Sequence, residues 1–153
     1  MAFDPDFQTI ANTKLYIVAA RPVTDDAAAW GALTFVQLQG ITSVPSVLGR
    51  EYNNATLATV DNPRNREKKA SYTFPPQEWG FQWTPEDAGQ VIALAASKDY
   101  TIPGFKVVRQ NGDILYFSAQ VSTFMDTGGT SDDALVGTMT LLKQSEAIIV
   151  EAP

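Results

Sequence analysis

The stretch GFKVVRQNGDILYFSAQVSTF, residues 104–124, decides the fold class. Two runs rich in β-branched and aromatic residues, Phe105 to Gln110 and Asp113 to Phe124, flank Asn111-Gly112, a dipeptide that accepts positive φ at both positions of a tight turn. A β-hairpin follows. In its second strand Leu115, Phe117, Ala119 and Val121 share one face. Tyr116, Ser118, Gln120 and Ser122 share the other, which reads as water-facing.

Similar strands lie on both sides of this hairpin. Lys14 to Ala20 (KLYIVAA) and Leu33 to Leu38 (LTFVQL) read as the first two, with Asp25, Asp26, Trp30 and Gly31 in their connection. Glu67 to Phe74 (EKKASYTF) alternates, with Glu67, Lys69, Ser71 and Thr73 on one face and Lys68, Ala70, Tyr72 and Phe74 on the other. After Pro75-Pro76, Trp79, Phe81 and Trp83 line one side of a further strand. Leu135 to Leu142 alternates Thr138 and Thr140 against Met139 and Leu141, and Ala147 to Val150 forms a last short strand. Between them the period changes once. Thr84 as N-cap, Pro85 in the first turn, and an apolar stripe of Ala88, Val91, Ile92 and Ala95 predict a helix to about Ser97. Gly89 inside it costs about 1 kcal/mol relative to alanine, which suggests close backbone packing there.

From Gly40 to Arg66 periodicity fades among Pro45, Gly49, Asn53, Asn54, Asn62, Pro63 and Asn65, with a short strand at Ala55 to Val60. A loop this long, carrying Val44, Val47, Leu48, Tyr52 and Leu57, is expected to lie against something. With no repeat and no break in composition, the expectation is a single domain, residues 1–153. It has an N-terminal arm (1–10) and a long loop (43–66). The fold class is mainly β: an antiparallel β-sandwich or partial barrel with one flanking α-helix.

Composition removes most chemistry. The 153 residues include no cysteine and no histidine. Disulfides, thiolate nucleophiles and the Ser-His-Asp and Cys-His arrangements are therefore excluded. Seventeen acidic against eleven basic residues give a net charge of −6, which disfavours broad affinity for phosphate backbones. The first twenty residues show neither a basic leader nor a long apolar run, so no signal peptide is expected, and the sequon at Asn54-Ala55-Thr56 is then a chance match. The pairs Asp4/Asp6, Asp25/Asp26 and Asp132/Asp133 lack the spaced oxygen ligands of a calcium loop. Thr127-Gly128-Gly129-Thr130 lacks the lysine and helix of a phosphate loop and reads as a hairpin connection. Glu78 with Glu86 or Asp87 is a carboxylate pairing that a glycosidase would need, with nothing else in support. No catalytic, metal or cofactor site is assigned. Trp79, Phe81 and Trp83 admit two readings: core packing, or a platform stacking sugar rings as in carbohydrate-binding modules.

Beyond these local readings, WTPEDAGQVIALAAS (83–97) resembles the D-x-G-Q-x-x-x-L-x-x-A pattern near the outer helix of siphophage major tail tube proteins. GREYNNATL (49–57) and EKK (67–69) occur where that family carries its long loop and following basic strand. The 104–124 stretch resembles its hairpin and GTMTL (137–141) its closing strand. The likeness covers most of 40–151 and rests on the order and spacing of its motifs. It implies a sandwich or barrel-like fold, shared in outline with the secreted tube protein of type VI secretion. Subunits would close into hexameric rings that stack into a tail tube through which DNA is ejected.

The implied partners are further copies of the chain, tail tip or baseplate and terminator proteins, and a tape measure protein inside the tube. DNA would pass without specific binding, and no membrane is involved. The implied location is the virion tail, after synthesis in the bacterial host cytoplasm. Candidate lumen-facing residues are Glu67, Lys69, Ser71, Thr73, Gln120, Ser122, Thr138 and Thr140, polar or acidic apart from Lys69. Candidate contacts between rings are Val47, Leu48, Tyr52 and Leu57 in the long loop, with the N-terminal arm. The rival functions are a carbohydrate-binding module using Trp79, Phe81 and Trp83, and a small carboxylate hydrolase.

Overall fold

The computed structural model describes residues 7–152. Its strands are β1 Lys14–Val18, β2 Val36–Leu38, β3 Ile41–Ser43, β4 Glu51–Leu57, β5 Arg66–Thr73, β6 Gln77–Gln82, β7 Gly104–Val108, β8 Ile114–Thr127, β9 Val136–Lys143 and β10 Ile148–Val150. The helices are α1 Ala27–Gly31 and α2 Ala88–Ser97. The hairpin foreseen around Asn111-Gly112 is β7–β8, but its loop has three residues rather than two. Gly112 N–H donates to the Arg109 carbonyl (3.0 Å) and Arg109 N–H to the Asp113 carbonyl (2.8 Å). Only Gly112 takes positive φ, at 97°. Asn111 acts through its side chain, which accepts from Asp113 N–H at 3.0 Å and donates to Asp113 Oδ2 at 3.1 Å. A type I turn closed by a left-handed glycine suits these contacts.

All pairings are antiparallel, and the main sheet runs β2-β1-β7-β8-β9-β6-β3 with β10 also on β8. The fourteen-residue β8 belongs to both halves. It pairs with β7 and β10 through Ile114–Ser118, then with β9 from Ala119 to Thr127. The sheet is open, yet its two edge strands are separated in the chain only by Gln39 and Gly40. The sheet therefore curls until its edges approach at that corner, where Gln82 N–H donates to the Gly40 carbonyl at 2.7 Å. The result is the sandwich or partial barrel expected, with Leu15, Ile17, Phe105, Phe117, Trp79, Phe81, Met139 and Leu141 inside and fully buried.

Five local expectations are corrected. The helix starts three residues late: Thr84–Asp87 forms a turn, and Asp87 is the N-cap, accepting from Gln90 N–H at 3.2 Å. Its buried face is Gly89, Gln90, Ala93 and Ala96, whereas Val91, Ala88 and Ala95 point outward. The cause is Gly89, where a β-carbon would stand 2.7 Å from Leu38 Cα, so the helix lies directly on the β2 backbone as its glycine suggested. The outer face of β8 is dry over its first half. Tyr116 and Ser118 are buried because α1, in the connection between the first two strands, places Trp30 in stacking range of Tyr116 and Phe35 (ring centroids 5.8 and 6.4 Å). The second strand is correspondingly shorter than LTFVQL, with Phe35 serving this outer cluster. Finally, the strand inside the long loop is Glu51–Leu57 rather than Ala55 to Val60, and this β4 pairs with β5 along its whole length.

Candidate assembly surfaces

The β4–β5 hairpin forms a sheet of its own. Every residue of β4, and every residue of β5 except the half-buried Arg66, is exposed. A two-stranded ribbon wet on both faces is marginal in water unless something covers it. It also displays Tyr52, Leu57, Val60 and Tyr72 to solvent. Between Glu51 and Thr73 four basic residues (Arg64, Arg66, Lys68, Lys69) outnumber three acidic ones (Glu51, Asp61, Glu67), so this arm is slightly positive on a chain of net −6.

A register shift between Tyr52 and Asn54 changes the faces of the arm. Ser71 stays beside Asn53, whose Nδ2 donates to its Oγ at 3.1 Å. Lys69 falls opposite Asn54, and its ammonium reaches the Tyr52 ring 4.7 Å away. Strict alternation therefore fails for β5: Glu67 and Lys69 share the face of Tyr52 and Tyr72, while Ser71 and Thr73 occupy the other. Of the four loop residues singled out as contacts, Leu48, Tyr52 and Leu57 are exposed, but Val47 is 2% exposed and belongs to the core. Apolar character alone does not distinguish the two environments. The N-terminal segment lies against the β7–β8 turn, with Thr9 N–H donating to Gln110 Oε1 (3.0 Å) and Asn111 N–H to Gln8 Oε1 (3.3 Å). The remainder of the expected N-terminal arm, Met1 to Asp6, is outside the described residues.

A second surface is the outward side of β6, β9 and the end of β8. Cross-strand pairs place Glu78, Thr140 and Thr123 in one row, Thr138 and Met125 in the next, and Gln120 beside Leu142 in a third. Thr138, Thr140 and Gln120 thus stand together, opposite the core face of Met139 and Leu141. Gln120 Nε2 donates to the Tyr100 carbonyl at 3.2 Å. Ser122 sits at the bulge between Val121 and Thr123, which turns Phe124 inward against Phe81 (4.9 Å) and brings Thr123 and Met125 to the outer face. Those two residues and Glu78 were missed; cross-strand register, not period-two reading, assigns them.

The rival sites fare differently. Trp79 and Phe81 have no accessible surface, and Trp83 leans on Phe81 and Phe124 (centroids 6.2 and 5.6 Å). Buried faces cannot stack sugar rings, so Trp79 and Phe81 are packing, and the half-buried Trp83 packs against the same cluster without forming a platform of three. Asp87 is engaged as a helix cap, accepting also from Gln39 N–H at 3.4 Å. In the Gly128-Gly129 loop, the Asp133 carboxylate already accepts from Thr130 N–H at 2.8 Å, occupying the position a phosphate would take. Among the described residues no group of three carboxylates converges, and no helix is long and apolar enough to cross a membrane.

No family model matches the chain, and no curated protein matches its sequence. Solved structures do. A chain from the sheath/tube terminator of the PVC extracellular contractile injection system superposes with a TM-score of 0.66 at 11% identity, covering 98% of this chain and 100% of that one. A chain from the tail of an empty GTA particle gives 0.65 at 9% identity, over 95% and 100%. One from the PVC sheath-tube complex gives 0.62 at 11%, over 97% and 94%. The chain has the fold of these chains over 95–98% of its length.

Proposed function

We propose that the chain is a structural subunit of hexameric rings that stack into a phage tail tube, the conduit for DNA ejection. The observation that carries the reading is the β4–β5 arm, a ribbon exposed on both faces that a neighbouring subunit would cover. The open sheet edges at β2 and β3 suit lateral pairing, and ring closure would satisfy edges that otherwise invite open-ended association. The fold shared with tail and tube chains agrees with this, as does the C6 symmetry of the GTA tail. Partners would be further copies of the chain, terminator and baseplate or tip proteins, and a tape measure protein in the bore.

The lumen is proposed on the face carrying Gln120, Thr138 and Thr140, with Glu78 and Thr123. Hydroxyl, amide and carboxylate groups give a passing duplex no cations to condense on, so DNA slides without sticking. Glu67, Lys69, Ser71 and Thr73 lie on the arm, on two different faces, and only those facing the bore in the ring would share that role. Leu48, Tyr52 and Leu57 remain the proposed contacts between rings.

The test is excision of the arm. Glu51 and Thr73 are cross-strand partners, so replacing 52–72 by Asn-Gly closes the gap with a two-residue turn. The shortened subunit should fold and remain unassembled in electron micrographs of concentrated protein, where the full chain forms annuli or filaments of uniform bore. Tubes built by the shortened chain would sink the proposal.

A further inference from the structure

Where the arm leaves the barrel, its two roots meet the end of β9 at Lys143. This lysine is 7% exposed. Its ammonium donates to the carbonyls of Val47 (3.0 Å) and Gly49 (3.4 Å) on the strap leading into β4. It also stands 4.7 Å from the centre of the Phe74 ring, on the strap leaving β5. The next residue along, Arg50, lies over the Tyr72 ring at 4.2 Å and 5.9 Å from that of Phe74, and pairs with Glu146. Tyr72 contacts both Phe74 and Tyr52 (centroids 5.9 and 5.4 Å), and Lys69 caps Tyr52. Cations and rings therefore form one continuous series leading from the barrel into the arm: Lys143, Phe74, Arg50, Tyr72, Tyr52, Lys69.

An ammonium is costly to bury unless hydrogen-bonded, and an apolar residue of the same length would fill this position as well. What the apolar residue lacks is a donor for two strap carbonyls and a charge for the ring face. Burial lowers the Lys143 pKa, an effect that neighbouring Arg50 reinforces and Glu146 opposes. Both roots of the arm converge on this one group, the only contact just described that joins the two straps to β9.

We propose that Lys143 is the latch that fixes the direction of the β4–β5 arm relative to the barrel, a positioning residue for whatever the arm docks on. The latch is a property of the single subunit; its consequence for tube geometry rests on the assembly reading above. Hydrogen exchange of the full chain, read by mass spectrometry, tests it. In Lys143→Met, amides of 47–57 and 66–74 should exchange about tenfold faster or more, with Leu115–Val121 and Met139–Leu141 unchanged. Lys143→Arg, which keeps the charge and donors, should recover part of the protection. Arg50→Gln, at the wetter end of the same ladder, should show a smaller increase confined to Tyr52 and Tyr72, and decides the matter if Lys143→Met fails to fold. Equal acceleration in the core strands, or an arm unaffected by both substitutions, overturns the latch. Tube formation by the same variants is scored separately: regular tubes from Lys143→Met with a loosened arm would remove its role in assembly and leave the latch standing.

Discussion

Gly89→Ala is the substitution in which local and tertiary forces pull hardest in opposite directions. In an isolated helix the change stabilises by about 1 kcal/mol. In the folded chain the new methyl would stand 2.7 Å from Leu38 Cα, 2.8 Å from the Gln37 carbonyl oxygen and 2.9 Å from Leu38 N. These are β2 backbone atoms, which no rotamer change can move aside. Carbon–carbon contacts relax near 3.5–4.0 Å, so α2 must lift by roughly 1 Å. That shift strains the hydrogen bond from Gln39 N–H to Asp87, already 3.4 Å long, and opens the packing of Ala93. Overpacking costs about 1–3 kcal/mol, and three backbone atoms within 3.0 Å put this site in the upper part of that range, about 2–3; after the helix gain of about 1 the net loss is about 1–2 kcal/mol. Urea denaturation reads it as a lower midpoint at unchanged slope. Ala95→Gly, exposed on the same helix, is the control and should lose about 0.5–1 kcal/mol by propensity alone. A Gly89→Ala protein as stable as the parent, or more so, would refute the close helix–strand contact.

Val47→Ala should cost about 2 kcal/mol in denaturant because its side chain is buried, whereas Leu57→Ala should leave stability within about 0.5 kcal/mol and weaken ring stacking measured by sedimentation. Lysine at both Thr138 and Thr140 should leave rings intact in micrographs but slow DNA ejection from tails carrying the variant; unchanged ejection removes these residues from the lumen. Asp113 accepts from Ala152 N–H at 2.8 Å, and that bond, with the Asn111 side chain, holds its pKa below the usual carboxylate value. Its stabilising effect is full above the ordinary carboxylate pKa and is lost as pH falls through the lowered one. Acidification from about pH 5 toward pH 2 should therefore release the C-terminal segment beyond β10, seen as line narrowing of Ala152 in NMR spectra. Oligosaccharides should leave tryptophan fluorescence unchanged, since Trp79 is sealed; saturable quenching would contradict the packing assignment.

Period and punctuation made much of the fold legible. β-Branched and aromatic content marked β1, alternation marked β5, β6, β8 and β9, Asn111-Gly112 marked the turn between β7 and β8, and a change of period marked α2, because these signals act within a few residues along the chain. The order of motifs around the helix also pointed to the fold shared with tube and terminator chains. The candidate surfaces were only partly legible. Leu48, Tyr52 and Leu57 are exposed as expected, but Val47 reads no differently in sequence and sits in the core.

Side-chain type and spacing therefore determined that the chain forms strands with two usable faces, one helix and a closing hairpin. Tertiary structure alone decided which faces stay wet. The bulge at Ser122 redirects Phe124, the register shift at Tyr52 divides β5, α1 covers Tyr116, and the β2 backbone selects the glycine face of α2. Each outcome depends on a neighbour distant in sequence, and a residue's burial is a relation between two segments that no periodicity within one of them encodes.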